Sequence, residues 1–140
     1  MDMLLKEFQK FWRRHSEIWE TKLDYTEAFP HLLLMAFLQR ITNSEGRIER
    51  EYAAGRGRMD LLVEFGGKKY ILEIKLIRDY ISPELVKEEG LTQIRSYRDK
   101  YDPSIPCYLI IFDRRSEGKK STWEQRIQWN TEDDVTVVGC

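Results

Sequence analysis

Residues 55–75, GRGRMDLLVEFGGKKYILEIK, carry the reading of this chain. Leu61, Leu62, Val63 and Phe65 form one apolar run, and Tyr70, Ile71, Leu72, Ile74 and Leu76 form a second. Between them stands Gly66-Gly67, a dipeptide suited to the positive φ angles of a tight hairpin turn. Two neighbouring strands are expected, at about 58–65 and 69–77. Asp60, Glu73 and Lys75 lie inside them. Charged groups within apolar strands are destabilising unless something pairs with them. Side chains alternate along a strand with period two, so Glu73 and Lys75 share a face. Only one hairpin register puts Asp60 on that face as well.

Two converging carboxylates suit a hard divalent cation such as Mg²⁺ or Mn²⁺, which prefers oxygen ligands. The spacing D…E-x-K resembles that of a superfamily of metal-dependent nucleases, whose phosphodiester hydrolysis uses such an ion to lower the pKa of an attacking water and to neutralise charge on the phosphate. Asp60, Glu73 and the backbone carbonyl of Ile74 would hold the metal. Lys75 would orient the water and stabilise the developing charge. The bland reading is an ion pair between Glu73 and Lys75 on a solvated sheet face. Asp60 on the adjoining strand, behind Gly-Arg-Gly-Arg, turns the balance towards a site. Arg56 and Arg58, flanked by Gly55 and Gly57, are candidates for phosphate contacts, and equally for strand-end charges.

The superfamily that this spacing resembles is the PD-(D/E)xK nuclease superfamily, with Met59 where the motif has proline. The resemblance implies a restriction-endonuclease-like α/β sandwich, a central mixed sheet flanked by helices. It also implies that a glutamine on the helix after E-x-K points into the active site. In LTQIRSY that residue is Gln93, a water- or phosphate-orienting candidate whose plain alternative is a solvated helix position. Tyr97 follows four residues later on the same helical face, a candidate nucleic-acid contact. Glu27 resembles the further acidic metal ligand of some members. Asp24-x-x-Glu27 reads equally as a capping box with its charge at a helix start. More narrowly, TEAFPHLLLMAFLQRI, RIEREYAAGRGRMDLLVEFGGKKYILEIKL, EEGLTQIRSY, CYLIIFDRR and WEQRIQW…VTVVGC resemble the C-terminal nuclease-like domain of bacterial AAA-type ATPase-like proteins. The likeness runs from about residue 24 to the end. No G-x-x-x-x-G-K-[ST] loop occurs in the chain, so it brings no ATP site of that kind. It is then a stand-alone relative, or a fragment of a larger protein with an ATPase module or partner.

The remaining sequence supplies the other elements. Leu4, Phe8, Phe11, Trp12, His15, Ile18 and Trp19 recur at helical spacing, so a first amphipathic helix is expected over about 3–20. His15 reads as a packed histidine, and the tryptophans as core or interface residues. A second helix, about 25–42, is apolar nearly all round and should be buried on more than one side. Pro30 restricts its start to near Glu27, and Asn43 to Gly46 ends it. A strand at about 47–53 precedes the hairpin. Ser82 and Pro83 read as N-cap and first position of a helix that breaks at Gly90 and resumes from Gln93 to Lys100. Ile105 to Asp113 is a short buried strand reached by a crossover. Trp123, Ile127, Trp129 and Val135 to Val138 supply two last strands.

At 140 residues, 41% hydrophobic and 34% charged, the chain is expected to be one domain, 1–140. Its longest apolar run is too short to span a bilayer, and Lys6, Glu7 and Lys10 exclude a secretory signal, so the expected compartment is the cytoplasm. Cys107 and Cys140 are too few for a disulfide framework or a zinc site, and Cys107 reads as a small buried hydrophobe. The net charge of −1 gives no global pull towards nucleic acid. Arg56, Arg58, Lys68, Lys69, Lys75 and Arg78 nevertheless gather near the site, and Glu84, Glu88, Glu89 and Glu132 to Asp134 elsewhere. Three functions compete: a metal-dependent nuclease acting on DNA, a non-cleaving nuclease-fold module that binds nucleic acid or protein, and a junction-resolving endonuclease working as a homodimer.

Overall fold

The computed structural model describes residues 1–15, 28–42, 46–54, 57–116 and 122–140. The elements run α1 (Asp2–Arg14), α2 (Ala28–Ile41), β1 (Gly46–Ala54), β2 (Gly57–Phe65), β3 (Lys68–Ile77), α3 (Pro83–Tyr101), β4 (Cys107–Asp113), α4 (Trp123–Arg126), β5 (Trp129–Glu132) and β6 (Val135–Gly139). Ile18, Trp19, the Asp24–Glu27 pattern and Asn43 lie outside the described residues.

Six strands form one mixed sheet in the order β1-β2-β3-β4-β6-β5. β1, β2 and β3 make an antiparallel meander. Its β2–β3 turn is closed by Gly66 at φ 59° and Gly67 at φ 71°, the left-handed values glycine adopts freely. The chain then crosses over through α3, so β4 runs parallel to β3, and β6 runs parallel to β4. Every residue of β4 is buried, as befits a central strand with parallel neighbours on both sides. The α/β architecture with a central mixed sheet and flanking helices is the expected one.

Strand alternation sorts the interior into two cores. Leu61, Val63, Leu72, Ile74, Tyr108, Ile110 and Phe112 face α1 and α2, meeting Leu5, Phe8, Trp12, Leu34 and Leu38. Leu62, Ile71, Leu109, Ile111 and Val137 face α3, meeting Leu91, Ile94 and Tyr97. Polar ties fix α1 on its side. Asp2 accepts a hydrogen bond from the Tyr108 hydroxyl, and buried Gln9 donates to the carbonyls of Gln128 at 3.0 Å and Gly139 at 2.7 Å. His15 stacks on Phe11, with ring centroids 5.0 Å apart.

Four expectations are corrected. The first helix does not run to about residue 20 but ends at Arg14, with His15 as its C-cap. The helix after Ser82 does not break at Gly90 but runs through it as one 19-residue element. Its start is as read: Ser82 Oγ accepts from the Leu85 N–H, and Pro83 occupies the first turn. Trp123 belongs to the short helix α4, opened by a Thr122–Gln125 capping box, and the last two strands are β5 and β6. Among the described side chains, α2 buries the stripe Pro30, Leu34 and Leu38 and packs Phe29, Leu33, Met35 and Phe37 part-buried against the same core, while Leu32 is 44% exposed. Both cysteines are buried free thiols, in line with the reading of Cys107 as a small hydrophobe. The acidic run is no separate patch, because Glu132, Asp133 and Asp134 pair with Lys87, Arg95 and Arg98 of α3 at 2.8–2.9 Å. Asp133 and Asp134 both have positive φ, a turn conformation that aspartate tolerates better than most residues.

Candidate metal centre between β2, β3 and α3

The β2–β3 ladder ends at Leu61↔Leu72. One step further, Asp60 would stand opposite Glu73. Instead of a backbone bond, the Asp60 Oδ2 atom accepts the Ile74 N–H at 2.8 Å. The side chain takes the place of a ladder bond where the strands separate. On the other side of Asp60, the β1 register sets Glu51 opposite it. The β1–β2 ladder passes from Arg50↔Leu61 to Tyr52↔Met59, skipping Glu51, which has φ 51°. A left-handed glutamate is a strained backbone, and here it flanks the candidate aspartate.

Glu73 is only 3% exposed. Its Oε1 lies 3.5 Å from Lys75 Nζ, whereas its buried Oε2 has no hydrogen-bond partner. Burial first, and then the charge of Asp60, push the Glu73 carboxyl up to about 7, with Lys75 pulling the other way. Lys75 in turn donates to Gln93 Oε1 on α3. Asp60, Glu73, Lys75 and Gln93 therefore form one connected set, assembled from three elements. Two carboxylates close enough to couple, one with an orphan oxygen, are a hard-donor arrangement that fits a divalent cation. Among the described residues, no group of three or more His, Cys, Asp or Glu side chains is placed to hold a metal. Any ion here would draw on the two carboxylates and on backbone oxygen such as the Ile74 carbonyl.

The other candidate residues fare differently. Tyr97 shares the sheet-facing side of α3 with Gln93 but is buried in the core, 8% exposed. It is a packing residue, not a surface group for nucleic acid; the apolar partners Leu91 and Ile94 draw that face inward. Arg58 pairs with Ala53 in the β1–β2 ladder, and its side chain lies outside the described set. Arg56 and Glu27 lie outside it altogether.

One positioning residue escaped the reading of the sequence. At Gly90 an added Cβ would stand 2.6 Å from Leu109 Cδ1 and 3.1 Å from Lys75 Cγ. Leu109 is fully buried, so α3 approaches β3 and β4 this closely only because residue 90 lacks a side chain. The available signal was a glycine, costly in a helix interior, amid the strong helix formers of PELVKEEGLTQIRSY.

A family model described as PD-(D/E)XK nuclease superfamily matches residues 25–120, a stretch that contains Asp60, Glu73, Lys75 and Gln93. No match was found among curated proteins.

Proposed function

We propose that this chain, which belongs to the PD-(D/E)XK nuclease superfamily, is a Mg²⁺- or Mn²⁺-dependent phosphodiesterase that cuts DNA. The observation that carries the reading is the buried Glu73 carboxylate, with one oxygen unpartnered, coupled to Asp60 and set beside Lys75. A purely structural pair has no reason to keep such a group desolvated. Asp60, Glu73 and the Ile74 carbonyl would hold the cation. Within a strand, a residue's carbonyl leaves on the same edge as its N–H, here the edge where the β2 ladder has ended. When bound, the cation supplies a Lewis acid that acidifies water and neutralises phosphate charge.

The chain's own groups supply the rest. Asp60 Oδ2 is oriented by the Ile74 N–H, which leaves its second oxygen for a ligand. Lys75 presents an ammonium to the oxygen on which charge develops. Gln93 accepts from that ammonium and so fixes its direction. Arg56 and Arg58 would meet flanking phosphates, and Glu27 would add an acidic ligand. An ATPase-bearing partner, or a second copy of the chain, would add DNA affinity that a net charge of −1 does not supply.

That charge favours a second reading, a nuclease-fold module that binds without cutting. Supercoiled, linear, single-stranded and branched DNA, each incubated with and without Mn²⁺ or Mg²⁺, separates the two. The nuclease reading expects cleavage only with metal. Intact DNA in every lane would leave the binding module, and cutting confined to branched DNA would specify a junction-resolving enzyme.

A further inference from the structure

A groove of about 570 Å³ opens beside Lys75 on the α3 face of the sheet. Its floor follows directly from the strand register and is apolar except at Asp113, the in-register partner of Ile77. Ile77 is two residues beyond Lys75 on the same face, and Ile111 is the in-register partner of Lys75 on β4. Val137 continues the floor onto β6. One wall is the first two turns of α3, and the other is the segment from α4 into β5. With adjacent strands about 4.8 Å apart and a rise of about 3.3 Å per residue, the groove begins roughly one nucleotide step from the lysine.

Four of its six charged side chains pair with one another, and a fifth, Arg126, lies 3.6 Å over the Trp123 ring. Lys87 and Glu132 join the two walls at 2.8 Å. Arg115 holds Asp113 through two bonds, of 2.9 and 2.7 Å. Three cationic and three acidic side chains line the groove in all, so it offers no net positive field for a phosphate. What the rim does offer is neutral amide chemistry. Gln128 and Asn130 are both exposed and lie against each other, with Asn130 Nδ2 donating to Gln128 Oε1 at 3.4 Å. Asn130 keeps its carbonyl oxygen and Gln128 its amide N–H groups for a ligand. A largely apolar floor with an amide donor and acceptor at its edge matches an uncharged planar heterocycle, as amide side chains match base edges.

We propose that this groove takes an unpaired nucleobase of the strand being cut, next to the scissile phosphate. Bases inside a duplex are stacked and cannot enter, so the favoured substrate carries an unpaired nucleotide at that position. This rests on the nuclease reading of Asp60, Glu73 and Lys75 and adds the substrate class to it.

The test uses the full chain with Mn²⁺ and a labelled single strand in which one nucleotide at a time is made abasic, together with its fully paired duplex. The expected result is a loss of about tenfold in kcat/KM when the abasic position adjoins the cut, with the duplex cut more slowly than the strand. In Gln128→Ala/Asn130→Ala that base preference should vanish, while an unchanged melting temperature shows the fold intact. Equal cutting of duplex and strand, or a preference untouched by the double variant, overturns the proposal. If nothing is cut, fluorescence anisotropy with the same strand still decides. Weaker binding by the double variant than by wild type keeps the groove while the nuclease reading falls, and equal or absent binding overturns the groove itself.

Discussion

The two faces of the sheet are built to different rules, and β3 belongs to both. Towards α1 and α2 it sends Leu72 and Ile74 into an aromatic core in which Phe8, Trp12 and Phe112 pack edge-on or tilted at 4.7–6.1 Å. Towards α3, the intervening positions are Glu73 and Lys75, set between the second apolar core and Gln93. One strand thus holds two residues that stabilise the fold and two that do not. The second face tolerates the buried carboxylate because Lys75, itself held by Gln93, opposes its burial and the charge of Asp60. The first face has no tolerance of that kind.

The contrast breaks most visibly at Phe112. It is fully buried, so Phe112→Ala should lower unfolding free energy by about 3–5 kcal/mol, equally with and without Mn²⁺. Chemical denaturation measures this. A loss below about 1 kcal/mol would mean that the aromatic face is not the principal core of the fold.

Across the sheet, Lys75→Met should act chiefly on cleavage. Removing one well-placed donor raises the barrier by about 2.7–4 kcal/mol, roughly a hundred- to a thousandfold in kcat. The apolar stem is retained, but Glu73 loses the ammonium that opposes its burial. The denaturation midpoint should therefore fall at pH 8 and barely move near pH 4.5, where Glu73 is protonated. Undiminished cleavage would reduce Lys75 to the ion-pair partner of Glu73.

Glu73→Gln sharpens the comparison through pH. The folded carboxyl titrates near 7 against an ordinary 4.5. A raised folded pKa means that the associated stability is complete below about pH 4.5 and is lost as pH climbs through 7. At 1.36 kcal/mol per unit the full loss is about 3 kcal/mol, an order-of-magnitude figure. Metal-free Glu73→Gln should therefore be more stable than wild type at pH 8 and similar at pH 4.5. Mn²⁺ should raise the melting temperature of the wild type alone. Destabilisation by Glu73→Gln at pH 8 would show that the bond to Lys75 outweighs burial, and the case for a metal centre would weaken with it.

The two faces also differed in how far they could be read beforehand. The β2–β3 hairpin, the Ser82 cap and the register that sets Asp60 opposite Glu73 follow from local turn chemistry and period-two alternation, and all were legible. So was the apolar stripe Leu4, Phe8 and Trp12. What escaped depends on partners distant in sequence. The Ile74 N–H turns to Asp60 only because the ladder stops. Arg95 meets Asp133 across 38 positions, so the acidic run could not be recognised as a clasp on α3. Tyr97 shares the side of α3 that carries Gln93, but periodicity alone does not say which residue on a face reaches the site and which packs beneath it. Gly90 was misread for the same reason: local propensity makes it a helix break, and tertiary contact makes it a point of closest approach.

Gly90→Ala is the mildest test, and it asks whether the second face is held for chemistry or only for packing. Alanine adds about 1 kcal/mol of helix propensity. The new Cβ meets Leu109 and the Lys75 stem, an overpacking that typically costs about 1–3 kcal/mol. The two effects nearly offset, so global stability should change by no more than about 1–2 kcal/mol. Relief of the clash moves α3 away from β3, however, and Gln93 moves with it away from the Lys75 ammonium. Expected is a fall in kcat larger than the stability change accounts for, with KM nearly constant. The companion Gly90→Ala/Leu109→Val shortens the side chain that meets the new Cβ most closely, and should recover part of the lost kcat. If Gly90→Ala keeps full kcat, the contact between α3 and β3 is packing alone and Gln93 does not act through Lys75. If kcat falls and the double variant recovers none of it, the displacement arises at the Lys75 stem itself, and Leu109 is not what sets the height of α3 above the sheet.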